Sequence, residues 1–357
     1  MAVVSNLDAC ELILGNSNSR FSGVTSTMLQ TLVYQQTLMP LRVLGHHHLV
    51  DDDLHVGFWQ LVRHCRKPLS DGRWRVFHAR RNDEMIQAIL LRLLGVKIKI
   101  VFTSTAQRHH SLFSRWLMSK MDAVISTCHA AARYLRQAPA AIIPHGIRTD
   151  LFKPAEDKAA LWRSLGFGGQ IGLAIFGRVR AQKGVHLFVR ACIEVLNENT
   201  GYTAIIVGAI DNKNRAFVDS LKREIMAAGL EKRIVFTGEQ PFAKIPELFR
   251  AVSLVAALSD NEGFGLTVLE AMSSEAAVLA SEAGAWPEIV NEGVEGMLVP
   301  INDQQAVTAK LASVLAQPHR LAEMGVEGRT RVLTSYTVER EASDLCRFYR
   351  SLQSSGL

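Results

Sequence analysis

Short apolar runs recur along the chain, separated by segments of helical length whose own apolar residues repeat with a period near 3.6. In the second half the runs are GLAIFG at 172–177, TAIIVG at 203–208, RIVFTG at 233–238, VSLVAAL at 252–258 and AVLAS at 277–281. Continuous runs of this length, rich in β-branched residues and bounded by glycine or charge, predict strands buried on both faces. Their alternation with helices predicts a parallel sheet covered on each side. The first half repeats the pattern more loosely: CELILG, LRVLG, RWRVFHA, VKIKIVFTS, DAVIST and AAIIPHG read as strands, with helices such as Asp83 to Leu94 between them.

The predicted fold class is therefore α/β, with two doubly wound domains in succession. A length of 357 residues agrees, since one core seldom grows so large. The expected division is residues 1–150, then 151–336, with a link near 146–160, and a terminal helix over 337–357 that packs back on the body. Leu345, Phe348, Tyr349 and Leu352 supply that helix with an apolar face at helical spacing. In such sheets ligands bind outside the carboxyl ends of the strands, so the site is expected in a cleft between the domains.

Composition narrows the class. With 48% hydrophobic and 21% charged residues and no low-complexity tract, the chain has the make-up of a globular protein with large cores. Five scattered cysteines without a C-x-x-C pair indicate neither a zinc ribbon nor a disulfide framework, which points to a reducing cytoplasm. No apolar run approaches the roughly 18 residues of a spanning helix, and MAVVSNLDACELILG lacks the pattern of a secretory leader. The net charge of +6 is lopsided: residues 1–150 carry 18 Lys and Arg against 10 Asp and Glu, the remainder 22 against 24. A basic half points to nucleic acid, anionic lipid or a phosphorylated substrate. Nucleic acid is disfavoured by the absence of a recognisable binding module and by the few aromatics among the basic residues.

Two stretches carry chemistry. In FGRVRAQKG, a strand ends at Gly177 and Arg178 and Lys183 flank a short loop before a helix near Gly184, so two cations stand beside a positive helix N-terminus and suit phosphate. Two solvated surface charges are the plainer reading of that loop alone. In SDNEGFGLTVLEAM, Glu262 and Glu270 raise the question of an acid/base pair. On a continuous helix they would stand roughly 80° apart, and Gly263 and Gly265 argue against such a helix. A strand ending near Leu258, a loop carrying Glu262 and a helix from Leu266 is the better reading, with Val268, Leu269, Met272 and Ala276 buried. The glycines then let the backbone approach a ligand at the helix N-terminus.

GRVRAQKG and EGFGLTVLE, followed by GAWPEIV and GMLVP, resemble the donor half of group 1 (family 4) retaining glycosyltransferases of the GT-B architecture, two Rossmann-like domains facing a central cleft. The resemblance implies a nucleotide-sugar donor and three catalytic positions: Arg178 and Lys183 on the donor diphosphate, Glu262 on the transferred sugar. It also implies that Glu270 binds the ribose hydroxyls, and that Gly177, Gly263, Phe264, Gly265, Leu266 and Thr267 line the donor. SRFSGVTST at 19–27, FHARRNDEM at 77–85, FTSTAQRHHS at 102–111 and RWLMSKMDAVIST at 115–127 extend the likeness to lipopolysaccharide core mannosyltransferases of alphaproteobacteria. That implies mannose transfer from GDP-mannose to the inner core of a lipid A precursor, without a metal cofactor, at the inner face of the cytoplasmic membrane. Gly23 would join the donor site, while His78, Arg80, Arg81, Asn82 and Arg108 would meet an anionic glycolipid acceptor. Strand-end placement of those basic residues suits an acceptor bearing carboxylate and phosphate, and basic residues of this domain would also favour an anionic membrane surface.

The chain departs from the wider family at Thr103, where many relatives have His; at Arg148, where Asp is frequent; and at Glu275 and Ala277, where Gly and Pro are common. The last pair puts a larger residue in a helix-to-strand turn, where geometry or activity would suffer. Rival readings are a transferase for another donor of the UDP-glucose type, a nucleotide-sugar epimerase, or an inactive sugar or lipid binder. A glycosidase is weaker, because Glu270 is assigned to ribose. HHHLVDDDLH at 46–55 offers imidazoles and a D-x-D to a metal, against the plainer reading of a polar loop, and neither G-x-S-x-G nor a helix-opening G-x-G-x-x-G is present.

Overall fold

The computed structural model describes residues 7–19, 22–49 and 51–354. The chain forms two compact units: Met1–Gly146 together with Val338–Leu357, and Ile147–Thr337. The boundary thus falls slightly before the expected residue 150, and the terminal helix belongs to the first unit.

The first unit is built on a parallel sheet of β1 (Leu12–Gly15), β2 (Leu41–Leu44), β3 (His55–Val56), β4 (Arg75–Ala79), β5 (Ile98–Ser104), β6 (Ala123–Ser126) and β7 (Ala141–Ile142). Its strand order is β3-β2-β1-β4-β5-β6-β7. Every residue of β1 and β4 is buried, which is why β1 reads as an unbroken apolar run, while β4 buries Arg75 and His78 among its apolar residues. The two-residue β3 lies inside the His- and Asp-rich stretch, where no apolar run announces it. Helices Phe58–His64, Asn82–Leu93 and Leu112–Met118 bury Leu61, Met85, Leu91 and Leu117 in one core cluster. Met28 and Leu32 of helix Gly23–Leu38 pack in another with Leu345 and Tyr349 of the terminal helix Val338–Ser354.

Two polar contacts fix that terminal helix. Glu341 accepts from the Gly146 amide at 2.8 Å and meets His145 Nδ1 at 2.8 Å, just where the chain leaves the unit. Tyr349 Oη lies 2.6 Å from His78 Nδ1.

The second unit carries β8 (Ile171–Phe176), β9 (Tyr202–Val207), β10 (Ile234–Gly238), β11 (Val252–Ala257), β12 (Ala277–Ser281) and β13 (Gly296–Val299), all parallel, in the order β10-β9-β8-β11-β12-β13. β13 corresponds to GMLVP, too short an apolar run to stand out as a strand. The order reverses between β8 and β11, so the loops leaving their carboxyl ends diverge and open a crevice.

The turn between helix Leu266–Ser273 and β12 explains one departure from the family. Glu275 has φ +55°, the left-handed region that glycine enters freely, and its carbonyl is held by Lys158 Nζ at 2.8 Å. The same ammonium reaches Ser274 O at 3.1 Å and Val252 O at 3.0 Å, while Arg329 Nη1 donates to Ser273 O at 2.7 Å. Cations at this helix C-terminus satisfy its last carbonyls and oppose its negative pole. The turn is therefore held without glycine, against a left-handed cost of about 1–2 kcal/mol that a glycine would exchange for a smaller entropic one of about 0.5–1 kcal/mol. Glu275→Gly is expected to raise the melting temperature of the second unit by about 2 °C in a thermal scan; an unchanged or lower value would show that the turn carries no such strain.

Candidate functional site

The two predicted chemical loops meet at the strand-order reversal of the second unit. After β8 the chain passes Gly177, at φ +123°, and Arg178, then makes a short 3-10 turn over Ala181–Lys183 into helix Val185–Leu196. After β11 it runs through Ser259, Glu262 and Gly263 into helix Leu266–Ser273. The Asp260 amide donates to the Gln182 carbonyl at 3.0 Å, joining the loops through their backbones. Lys183 Nζ makes a short ion pair with Glu262 Oε2, and both side chains are about three-quarters buried. Ser259 Oγ, 3.4 Å from the same oxygen, supplies a further donor. Phe176, Lys183, Ser259, Glu262, Thr267 and Trp286 line a small concave pocket that opens to solvent.

Glycines let the loops come this close. At Gly184, φ +69°, a Cβ would strike the Leu258 carbonyl. At Gly265, φ +78°, it would strike the Trp286 indole, whose Nε1 donates to Gly265 O at 3.1 Å. Helix Leu266–Ser273 begins without a side-chain cap, leaving its first amides directed at the pocket end where an anion is favoured.

Glu270 sits one turn into that helix, half-buried. Burial pushes its carboxyl up to about 7, and no charged neighbour offsets the effect. Arg178 is exposed at the end of β8. The pocket presents Lys183, Glu262 and the start of a helix to a ligand, while Arg178 and Glu270 are not among the residues that line it. Phe264 is buried, Thr267 lines the pocket, and Gly263, Gly265 and Leu266 belong to the turn and helix start that carry it.

The remaining predicted residues belong to the first unit. Gly23 opens helix Gly23–Leu38, with open space where a Cβ would stand. Arg80 and Arg81 follow β4, and both backbone amides donate to Glu84 Oε2, at 2.6 and 3.2 Å. Arg81 Nη2 donates to Ser22 and Thr25, each at 2.8 Å, tying the end of β4 to the start of helix Gly23–Leu38 at this sheet's own strand-order reversal. Arg20 and Phe21, within the SRFSGVTST stretch, lie outside the described residues. Arg80 Nη1 is buried without a hydrogen-bond partner among the described residues. Asn82 Nδ2 donates to Ser114 at 2.9 Å, and Arg108 is exposed.

His78 departs from its expected place at the rim. Its ring is 1% exposed, with Nε2 2.6 Å from Thr103 Oγ1 and Nδ1 2.6 Å from Tyr349 Oη. Burial, with Arg80 nearby, holds its pKa well below the ordinary value. β4 is buried on both faces throughout, so a histidine within the strand faces the interior and pairs with the terminal helix. Thr103, the family departure, is its partner.

Trp286 and Ser259 are pocket residues that the motifs leave unassigned. GAWPEIV offered a signal for Trp286, but only the fold shows its indole supporting Gly265. In the His- and Asp-rich stretch, Val50 lies outside the described residues. The His46 and His55 rings are 5.8 Å apart, yet no group of three or more His, Cys, Asp or Glu among the described residues is placed to hold a metal ion.

Comparison with known proteins places this geometry in context. The family profile described as "Glycosyl transferases group 1" matches residues 162–331, most of the second unit. The chain is 41% identical over 344 residues to the lipopolysaccharide core biosynthesis mannosyltransferase LpcC of Rhizobium leguminosarum bv. viciae, covering 96% of each chain. It is 40% identical over 348 residues to LpsB, of the same description, from Rhizobium meliloti, covering 96% of this chain and 97% of that one. Among solved structures, the C-terminal domain of a group 1 glycosyl transferase (LpcC) from Francisella tularensis is 35% identical with a TM-score of 0.52, over 54% of this chain and 99% of that domain. HepE from Anabaena, solved in complex with UDP, superposes over 96% of this chain and 100% of its own with a TM-score of 0.77 at 19% identity, a likeness of fold. With near-complete coverage at this identity, and the family profile lying on the unit that holds the pocket, the chain belongs to the group 1 glycosyltransferases, enzymes here built as two parallel-sheet α/β domains of GT-B type.

Proposed function

We propose that this glycosyltransferase moves mannose from GDP-mannose to the inner core of a lipopolysaccharide precursor, with retention of configuration and without a metal ion, at the cytoplasmic face of an anionic membrane. The observation that carries the donor half is the meeting of Lys183, Glu262 and the uncapped helix Leu266–Ser273 around one pocket, with Glu270 a turn behind. The sugar and acceptor follow the full-length likeness to the rhizobial mannosyltransferases.

In this reading Arg178 and Lys183 take the diphosphate, Glu262 turns from Lys183 toward the sugar, and Glu270 accepts from both ribose hydroxyls. The glycosidic bond to the leaving phosphate breaks while the acceptor hydroxyl attacks from the same face, its proton passing to the departing phosphate oxygen. No separate base from the protein is needed. The two cations stabilise the charge that develops on the diphosphate.

The nucleotide is tested by thermal shift. GDP at about 100 times its dissociation constant should stabilise by about 2.7 kcal/mol, and UDP at the same concentration by far less. A larger shift with UDP would turn the assignment toward a UDP-sugar donor or an epimerase. Release of GDP from GDP-mannose only when purified core acceptor is present completes the test; no release with either nucleotide-sugar would identify an inactive binder.

A further inference from the structure

Helices Phe58–His64, Asn82–Leu93 and Leu112–Met118 link β3 to β4, β4 to β5 and β5 to β6, and all bury their inner sides in the same core cluster. They form one layer on one face of the first unit's sheet. Asn82 reaches Ser114 at 2.9 Å, and Arg92 reaches Asp122 at 3.0 Å and the Lys120 carbonyl at 2.5 Å, which holds the second and third helices side by side.

The outer side of this layer is not the polar surface such helices normally present. Ile86, Leu90 and Leu93, spaced i, i+4 and i+7, form a second apolar stripe opposite the buried one, and Leu93 is 77% exposed. On the neighbouring helix Leu112 is 75% exposed, and Phe113 and Trp116, each 53% exposed, stack on one another with centroids 6.2 Å apart. The segment that holds these helices is basic: residues 57–121 have thirteen Lys and Arg against three Asp and Glu, although Arg75 is buried and Arg73 and Lys99 bond to the terminal helix instead. Lys120 Nζ lies 5.9 Å from the Trp116 ring centroid, and Arg63, Arg66 and Lys67 are exposed on or just after the first helix.

We propose that this outer face is a membrane-docking surface that inserts Leu93, Leu112, Phe113 and Trp116 among the acyl chains of an anionic phospholipid bilayer while the surrounding cations contact its headgroups. Exposed leucine and aromatic side chains within a basic surround have the chemistry of an interfacial anchor. The exposed cations Arg63, Arg66, Lys67 and Lys120 complement anionic headgroups, which favours a lipid surface as the occupant. The inference rests on the proposed reaction only in that its acceptor is a membrane glycolipid; the surface features stand by themselves.

The test is sedimentation of the full chain with phosphatidylglycerol-rich vesicles and with pure phosphatidylcholine vesicles, neither carrying donor or acceptor. The wild type should bind the anionic vesicles, more weakly as salt is raised, and bind phosphatidylcholine poorly. Phe113→Ser/Trp116→Ser and, separately, Leu90→Ser/Leu93→Ser should each lower partitioning at least about tenfold, with unchanged circular dichroism and an unchanged nucleotide-induced melting shift. Equal binding to both lipids, no binding at all, or variants that bind like the wild type would overturn the surface. So would a wild-type dimer that these substitutions dissociate in the absence of vesicle binding, which would make the face a self-interface. Because no sugar transfer is measured, a wrong donor or acceptor leaves this result untouched, and a failure here leaves the donor assignment untouched.

Discussion

Arg178→Ala is expected to lower turnover with GDP-mannose and purified core acceptor at least about a hundredfold while leaving the melting temperature of the donor-free enzyme within about 1 °C of wild type. The asymmetry follows from where the guanidinium lies. Arg178 is exposed at the end of β8, beside a glycine in the left-handed region, and makes no hydrogen bond or ion pair with the described residues. Removing it breaks nothing in the resting protein. In the reaction it would face the leaving diphosphate, and a well-placed cationic donor there is worth about 3–4 kcal/mol of transition-state stabilisation. Lys183 gives a useful contrast. It is already paired with Glu262, so Lys183→Ala would strand a largely buried carboxylate and lower stability and turnover together. Arg178→Lys should recover only part of the loss, since an ammonium cannot match the two-pronged guanidinium contact to phosphate. Near-normal rates for Arg178→Ala would remove this residue from the donor site.

Glu270→Gln should make the donor-free enzyme more stable and the reaction worse. Its carboxyl, raised by burial from 4.5 to about 7, is favoured in the protonated form by the folded chain. Ionising it above pH 7 therefore costs folding free energy, and that cost vanishes as pH falls toward the ordinary carboxylate value. Glutamine keeps the shape and removes the charge. At pH 8 it should raise the melting temperature by about 5 °C, corresponding to about 2 kcal/mol, and the gain should shrink toward pH 5. The proposed ribose contact needs the opposite: hydroxyls donating to an ionised carboxylate would make charge-assisted bonds, and losing the charge should then raise KM for the donor by about ten- to a hundredfold. The wild-type KM should itself climb as pH drops through about 7, and the variant's should stay flat. A higher melting temperature with an unaltered KM would mean that Glu270 is a buried structural carboxyl with no donor contact.

The legible parts of the chain were those where burial on both strand faces writes itself into composition. β8, β9, β11 and β12 appear as apolar runs because parallel strands under helices have no solvent side. β3 and β13 escape such a reading, one two residues long beside histidines and aspartates, the other four residues, Gly296–Val299, cut off by Pro300. Within the site, glycine spacing revealed the loops because only glycine tolerates such close backbone approach. Ser259 carries no such signature, and its hydroxyl reaches Glu262 only through the turn that follows β11.

His78 shows where reading along the chain fails. Beside two arginines it reads as part of a basic rim, but a strand turns successive side chains to opposite faces, and here both faces are covered. The imidazole is enclosed by Thr103 from the adjacent strand and Tyr349 from a helix 271 residues away in sequence.

What the sequence alone determined was the class of fold, the two-unit plan and the two glycine-bearing loops that meet at the pocket, because hydrophobic period, glycine placement and motif order are local properties of a chain. What only the tertiary structure decided was the company each side chain keeps: Lys183 with Glu262, Lys158 with the left-handed turn at Glu275, Arg81 with Ser22 and Thr25, and apolar stripes from neighbouring helices turned to the outside of one layer. Those pairings join residues far apart in sequence, and their distances are set by strand order and helix packing, which no local pattern encodes.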